Sequence, residues 1–310
     1  MSIALAGAEH QGSAKRRRRL GAEIAPGIAY WFAAPSIVLL IVTLLLPIIV
    51  VFALSFTDYE LGALGISFLG LDNYTALASD PTFWRGFRNT LYYVALVVPG
   101  SVLSGLLLAV LVNDLIRGRR FYQIAFFLPV TSTLIAMATV WKYLLHGRIG
   151  PVNHLLAALG LPQFEFFGDP ELIMPALAVI GIWQLAGFNM VLFTAGLTAI
   201  PADLYEAAAV DGIDRPWERF FTVTLPMLGP TTMFVIITSS ITAFKVFDTV
   251  AVLTRGGPQG ASDVLLYTTY LEGFQYLRMG SAAAMTIVFL AIILVLSLLQ
   301  SRLLDRKVHY

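Results

Sequence analysis

The sequence predicts an all-α integral membrane protein with six transmembrane helices and both termini in the cytoplasm. Three observations carry that prediction. Of 310 residues, 58 % belong to the hydrophobic set and only 13 % are charged, against about 25 % charged in a soluble domain. The apolar residues gather in six long runs, and Lys and Arg gather on one side of those runs. No core of ordinary size hides so much apolar surface, so the bilayer must cover it.

The runs fall at 28–56, 88–113, 121–145, 172–199, 227–254 and 279–304. Each exceeds the roughly 20 residues a helix needs to cross the hydrocarbon layer. A barrel would need strands of about ten residues alternating apolar with polar; these runs are continuous and far longer. Pro35, Pro47, Pro99 with Gly100, and Pro129 lie inside them. They read either as gentle kinks or as hinge points, since membrane helices tolerate Pro where neighbours satisfy the freed backbone.

Charge sets the orientation. With the N-terminus inside, the inner segments hold 13 Lys and Arg and the outer segments hold five, whereas acidic residues divide nine and nine. Asymmetry in the basic residues alone is the positive-inside pattern. The tail 1–27 carries KRRRR at Lys15–Arg19. Beside a membrane span this cluster fixes topology and meets anionic lipid; a net charge of +1 gives no case for nucleic acid. The first run is too long for a cleaved signal peptide. A short cytoplasmic tail, 305–310, closes the chain. The loops 57–87, 146–171 and 255–278 face outside, and GPVNHLLAALGLP in the second has the makings of a short surface helix.

One inner loop is unlike its surroundings. Within about 200–226, EAAAVDGIDRPWERFFTVTLP carries six charged residues in 21. Ala202–Val210 is rich in helix formers, Asp203 suits the first turn, and Gly212 suits a C-terminal stop. Asp214 is placed to cap a second helix with Pro216 in its first turn. That helix carries Trp217, Phe220 and Phe221, with Trp217 and Phe220 burying it against the rest of the chain, and Pro226 begins the fifth span. The expected arrangement is helix, glycine turn, helix, lying across the membrane face. Physics alone equally allows an amphipathic connector resting on the headgroups.

This stretch resembles the EAA motif of ABC-importer permeases. Glu206-Ala207-Ala208, Gly212 and Val223-Thr224-Leu225-Pro226 match it. Val223 replaces the usual Ile, and ten residues rather than nine separate Gly212 from Val223; the surplus is placed near Pro216. AGLTAIPADLYEAA, VFDTVAVLTRGGP at 246–258 and FLGLDNYTAL extend the resemblance to the carbohydrate uptake branch, over about 28–304. The resemblance implies the six-helix transmembrane domain of an ABC type I importer in a bacterial or archaeal inner membrane. It implies three partners: a second homologous permease, a cytoplasmic ABC ATPase dimer, and an extracytoplasmic solute-binding protein. It implies no cofactor in this chain, ATP and Mg belonging to the partner ATPase. It also implies an ATPase-coupling role for Glu206, Ala207, Ala208, Asp211, Gly212, Leu225 and Pro226, with the carboxylate of Glu206 offered to a basic groove.

Polar groups inside membrane spans mark the candidate solute path. Gln184 and Phe188 share a face of the fourth span; Ser239, Thr242 and Val246 share one of the fifth. Lys245 and Asp248, at i and i+3, either neutralise each other or offer Lys245 to a phosphate-bearing solute. Ser and Thr in a helix often serve only their own backbone. Gln184, Phe188, Ser239, Thr242, Lys245 and Asp248 are the candidate path residues, suited to a sugar or related polyol, either an oligosaccharide or a glycerol-phosphate type. Hydrolytic motifs and a phosphate-binding glycine loop are missing from the sequence, and all four His fall in loops or termini, so the chain reads as a non-enzyme. An ion-coupled secondary transporter and a non-transporting scaffold subunit remain the alternatives.

Overall fold

The computed structural model describes residues 26–115 and 117–305. The basic cluster Lys15–Arg19, the rest of 1–25, and Arg306 and Lys307 lie outside the described residues. Contacts divide the chain into units 1–53 and 54–310. The described part of the first unit is helical: α1 (Pro26–Leu40), a π turn (Ile41–Leu45) and most of α2 (Leu46–Leu54). Pro47 explains the irregular turn. It offers no N–H to the Thr43 carbonyl and its ring crowds that carbonyl. Widening by one residue relieves the clash, and the Leu46 N–H donates to the Ile41 carbonyl.

The second unit contains α3 (Asp72–Ser79), α4 (Pro81–Asn113), α5 (Arg119–Thr131), α6 (Leu134–Leu144), α7 (Pro151–Ala158), α8 (Ile173–Thr198), α9 (Ala202–Val210), α10 (Pro216–Arg219), α11 (Leu225–Met227), α12 (Gly229–Phe244), α13 (Leu265–Tyr270) and α14 (Met279–Asp305). Further π turns occupy Phe220–Thr224, Val250–Thr254 and Leu271–Gln275. Among the described residues there is no strand, only an isolated bridge between Thr57 and Phe68.

Four helices are long and apolar enough to cross a membrane: Tyr30–Leu54, Pro81–Asn113, Ile173–Thr198 and Met279–Arg302. The number rises to six if two bent pairs each count as one span. These are Arg119–Thr131 with Ile135–Leu144, and Pro216–Met227 with Gly229–Phe244, the latter bent by 67°. The second expected span starts earlier than its apolar run, because the Asp80 carboxylate caps the helix, accepting from Thr82 N at 2.8 Å, with Pro81 behind it. The third and fifth spans are not continuous helices. Pro226 does not open the fifth span directly; it sits in α11, and α12 begins beyond the bend.

α8 is the central helix of the second unit, packed along α4 and also against α5 and α12. Close approach explains the density of glycine on the shared faces. A side chain at Gly181 would collide with the Tyr93 hydroxyl, and one at Gly105 with the Asn189 Cβ. Three apolar clusters follow. Tyr93, Val97, Leu177, Ile180 and Val250 fill one end; Val102, Met190, Phe193, Leu228 and Val235 fill the other. Leu77, Phe83, Leu265, Met285 and Phe289 seat α14.

The segment 255–264 is pinned to the start of α4. Asn89 Nδ2 donates to the carbonyls of Gly260 (3.3 Å), Ala261 (3.2 Å) and Asp263 (2.9 Å). Thr90 Oγ1 accepts from Leu265 N at 2.9 Å, and Arg85 pairs with Asp263 at 3.1 Å. Burial raises the Asp263 carboxyl above its ordinary value, against the pull of Arg85. The segment 57–69 is held likewise by Asn73, whose amide donates to the Ser55 and Thr57 carbonyls at 3.0 and 2.8 Å. The expected short helix in 146–171 is α7, and His146 and His154 are both exposed.

Candidate solute cleft and coupling surface

The expected fifth span breaks where its polar residues lie. α12 ends at Phe244, and Lys245 caps it with φ −82° and ψ 18°. The chain resumes helical form at Asp248 and continues into the π turn Val250–Thr254. Ending a helix inside a membrane frees backbone carbonyls, which is tolerated where the break lines a cavity. A cleft of ≈ 460 Å³ opens there, between α4, α8 and the broken span.

Of the six path candidates, Gln184, Thr242, Lys245 and Asp248 line this cleft. Val246, placed on the same face as Thr242, lines it as well. Phe188 and Ser239 do not. Phe188 lies one turn past Gln184 on α8, away from the cleft, and is partly exposed. Ser239 is buried between helices and bonds Asn189. Lys245 and Asp248 both line the cleft and form no ion pair with each other. The sequence reading missed Tyr93, Phe247 and Thr249, which also line the cleft. An aromatic residue beside the break of a polar span was the available signal for Phe247; nothing in the sequence pointed Tyr93 inward.

The coupling candidates form a well-defined surface. α9 follows Pro201, which is extended, and holds Asp203 in its first turn. Its end is a Schellman closure: Gly212 N donates to Ala209 O (3.1 Å) and Ile213 N to Ala208 O (2.9 Å). Gly212 adopts φ +80°, the left-handed conformation that this closure needs and L side chains resist. Ala208 is buried, whereas Glu206, Ala207, Asp211 and Gly212 are exposed. Tyr205 holds the inner side, its hydroxyl 3.0 Å from Thr224 Oγ1 and its ring 5.9 Å from the Arg219 guanidinium. Leu225 is half-buried and Pro226 exposed.

The second arm differs from the expectation. Its cap is extended Arg215, with no side-chain bond from Asp214, and Pro216 takes the first helical position. Trp217 and Phe221 are each 60 % exposed and Phe220 is only half-buried, so the aromatic residues do not bury this arm. This arm is a single short helical turn, Pro216–Arg219, and a π turn at Phe220–Thr224 stands between it and Pro226. Trp217, Phe220 and Phe221 instead border a cleft of ≈ 600 Å³ with Asn113, Asp114 and Tyr205.

Comparison with known proteins gives this arrangement its context. Residues 101–310 match the model of the family described as the binding-protein-dependent transport system inner membrane component. The chain is 32 % identical over 286 residues to the sn-glycerol-3-phosphate transport system permease protein UgpA of Brucella abortus, covering 91 % of this chain and 96 % of that one. It is 31 % identical to a probable ABC transporter permease protein of Pyrococcus horikoshii, covering 86 % and 92 %. Its fold is similar to that of a subunit of a bacterial alginate ABC transporter solved in complex with an alginate-pentasaccharide-bound periplasmic protein. There the TM-score is 0.80, with 26 % identity over 91 % of this chain and 95 % of the other. The chain belongs to the binding-protein-dependent inner membrane component family, as a multi-pass ABC importer permease of the carbohydrate uptake type.

Proposed function

We propose that this permease spans the inner membrane six times with both termini in the cytoplasm, and forms half of an ATP-driven import pathway. A second, homologous permease supplies the other half. The cleft between α4, α8 and the broken fifth span carries the solute, and α9 docks on a partner ATPase. The outer loops, tied down by Asn73 and Asn89, offer a fixed surface to a solute-binding protein. ATP and Mg act in the partner subunit, not in this chain.

The observation that carries this reading is the convergence of Gln184, Thr242, Lys245 and Asp248 on one cleft at a helix break. Hydrogen-bonding groups beside apolar and aromatic walls suit a polyhydroxylated solute. Two of the relatives are named for anionic solutes of that kind, sn-glycerol 3-phosphate and the acidic polysaccharide alginate. Lys245, unpaired with Asp248, suits such an anion in this chain. At the other end, exposed Glu206 and the tight Gly212 closure fit a docking helix that must transmit movement without fraying.

Glu206→Ala and Gly212→Val, tested in the assembled transporter for solute uptake and for co-purification of the ATPase, decide the matter. Uptake and co-purification should both fall. If both survive, the coupling role fails. If uptake persists without any ATPase, an ion-coupled carrier replaces this reading.

A further inference from the structure

A second cleft, of ≈ 590 Å³, adjoins the solute cleft: Phe247 lines both. Its other walls include Arg255, Tyr267, Tyr270, Gln275 and Tyr276. The rings form a ladder. Phe247 lies 5.3 Å from Tyr270 and 6.2 Å from Tyr267, centroid to centroid, and Tyr270 lies 5.5 Å from Phe274. Gln275 Nε2 donates to the Tyr270 hydroxyl at 3.4 Å. Arg255 is exposed and takes φ 51°. Of the other arginines on this side of the molecule, Arg85 pairs with Asp263 at 3.1 Å and Arg278 with Glu272 at 2.6 Å, while Arg88 and Arg148 form no ion pair among the described residues and do not line this cleft. Arg255 has no carboxylate partner among the described residues.

We propose that this aromatic cleft is an outer vestibule that binds an anionic polyhydroxylated solute, a uronate sugar or a polyol phosphate, before it passes Phe247 into the inner cleft. Tyrosine rings give an apolar face with hydroxyls at its rim, which fits the alternating C–H and O–H surface of such a solute. The Arg255 guanidinium gives the planar fork that carboxylate and phosphate accept. A neutral sugar would use the rings and leave the guanidinium without its partner. The proposal rests on the permease reading above and adds the place and charge class of first contact.

Because the native sequence contains no Cys, Gln275→Cys gives this chain a single thiol in the vestibule. The complete transporter, in nanodiscs with its partner subunits, is labelled with an uncharged maleimide, and the label is read on this chain after separation. The anionic probes are sn-glycerol 3-phosphate and an alginate trisaccharide; the neutral ones are glycerol and maltotriose. At a concentration of about ten times its Kd, at least one anionic probe should slow labelling about tenfold by occupying the site, and neither neutral probe at the same concentration should do so. Adding Arg255→Gln should abolish protection without changing the unprotected rate. Equal labelling with and without the anionic probes overturns the vestibule, as does protection that survives Arg255→Gln. ATP-dependent uptake of a probe that gives no protection leaves the permease reading intact and removes this one. Protection without ATP-dependent uptake does the reverse.

Discussion

Asn189 and Ser239 bond each other in both directions between α8 and α12. The amide donates to the hydroxyl at 3.0 Å, the hydroxyl donates back to the amide oxygen at 3.1 Å, and both residues are buried. Inside a bundle with apolar surroundings, such a pair holds two helices in register. Ser239 therefore packs between the two helices and does not line the cleft. Ser239→Ala should lower the thermal stability of the permease and leave the apparent affinity for solute unchanged. A double-mutant cycle with Asn189→Ala should return a coupling of about 0.6–1.7 kcal/mol, the range for hydrogen bonds between membrane helices. A shift in solute affinity with stability unchanged would return Ser239 to the path.

Gly212 offers a test free of steric complication. A Cβ there meets nothing within 4 Å, so a substitution is felt only through φ +80°. Asn tolerates that region better than Ala, and a β-branched residue tolerates it worst. Gly212→Ala should cost about 1–2 kcal/mol in the closure of α9, and solute-stimulated ATP hydrolysis should fall in the order Gly, Asn, Ala, Val. An order that follows side-chain volume, with Asn worse than Ala, would show that a partner packs on the missing Cβ and that backbone strain is not the cause.

Trp217 and Phe221 stand one turn apart and are mostly uncovered in the chain. Replacing both with Ala should change the stability of the isolated permease by no more than about 0.5 kcal/mol, the usual range for surface positions. Thermal unfolding of the purified subunit in detergent checks this. A loss of several kcal/mol would mean that these rings are buried against the chain's own helices after all.

Much of the fold was legible because a bilayer makes apolar length a direct signal. What escaped was where helix and apolar run part company. α4 begins at Pro81 although Arg85 and Arg88 interrupt the hydrophobic run; the Asp80-Pro81 cap was the readable clue. The expected fifth span breaks at Lys245–Phe247 with no Pro or Gly to announce it, whereas the third breaks at Ser132–Thr133, just past Pro129. The path residues were half legible for a related reason. Spans apolar all round do not show in sequence which face meets a neighbour, so Thr242 and Ser239, three residues apart, could not be told apart as cleft and packing groups. The one-residue surplus in the coupling loop has a natural place. A π turn holds one residue more than an α turn, and Phe220–Thr224 is such a turn within the Gly212–Pro226 interval, whereas Pro216 sits at an ordinary first helical position.

The segment 255–278 should respond to acid in an unusual direction. Burial raises Asp263 and Glu272 above their ordinary values of 3.8 and 4.5, against Arg85 and Arg278 respectively. A carboxyl with a raised value in the folded state binds its proton more tightly folded than unfolded. Its protonation therefore favours the fold, and that gain is lost as pH rises from the unfolded value through the folded one. Between those values, lowering the pH should make the segment 255–278 more resistant to local opening. Hydrogen exchange of Asp263–Thr268 amides, corrected for the intrinsic pH dependence, measures it. Protection that falls on acidification through this window would mean that the two ion pairs outweigh the burial.

Lys245 and Asp248 supply the last test, because they line one cleft with opposite charge and do not neutralise each other. Lys245 ends α12, where a cation also suits the helix dipole, so Lys245→Ala would mix structural and solute effects. Lys245→Gln keeps the length and a donor while removing the charge. For an anionic solute it should reduce uptake kcat/KM about tenfold, the scale of one charge-assisted hydrogen bond. For a neutral polyol it should change little. Asp248→Asn removes the repelling charge and should move the same ratio the other way. Initial uptake rates for a matched charged and neutral pair, measured on both variants, separate the two roles. Equal losses for both solutes in Lys245→Gln would assign Lys245 to the helix end alone, and the charge preference of the cleft would have to come from another residue.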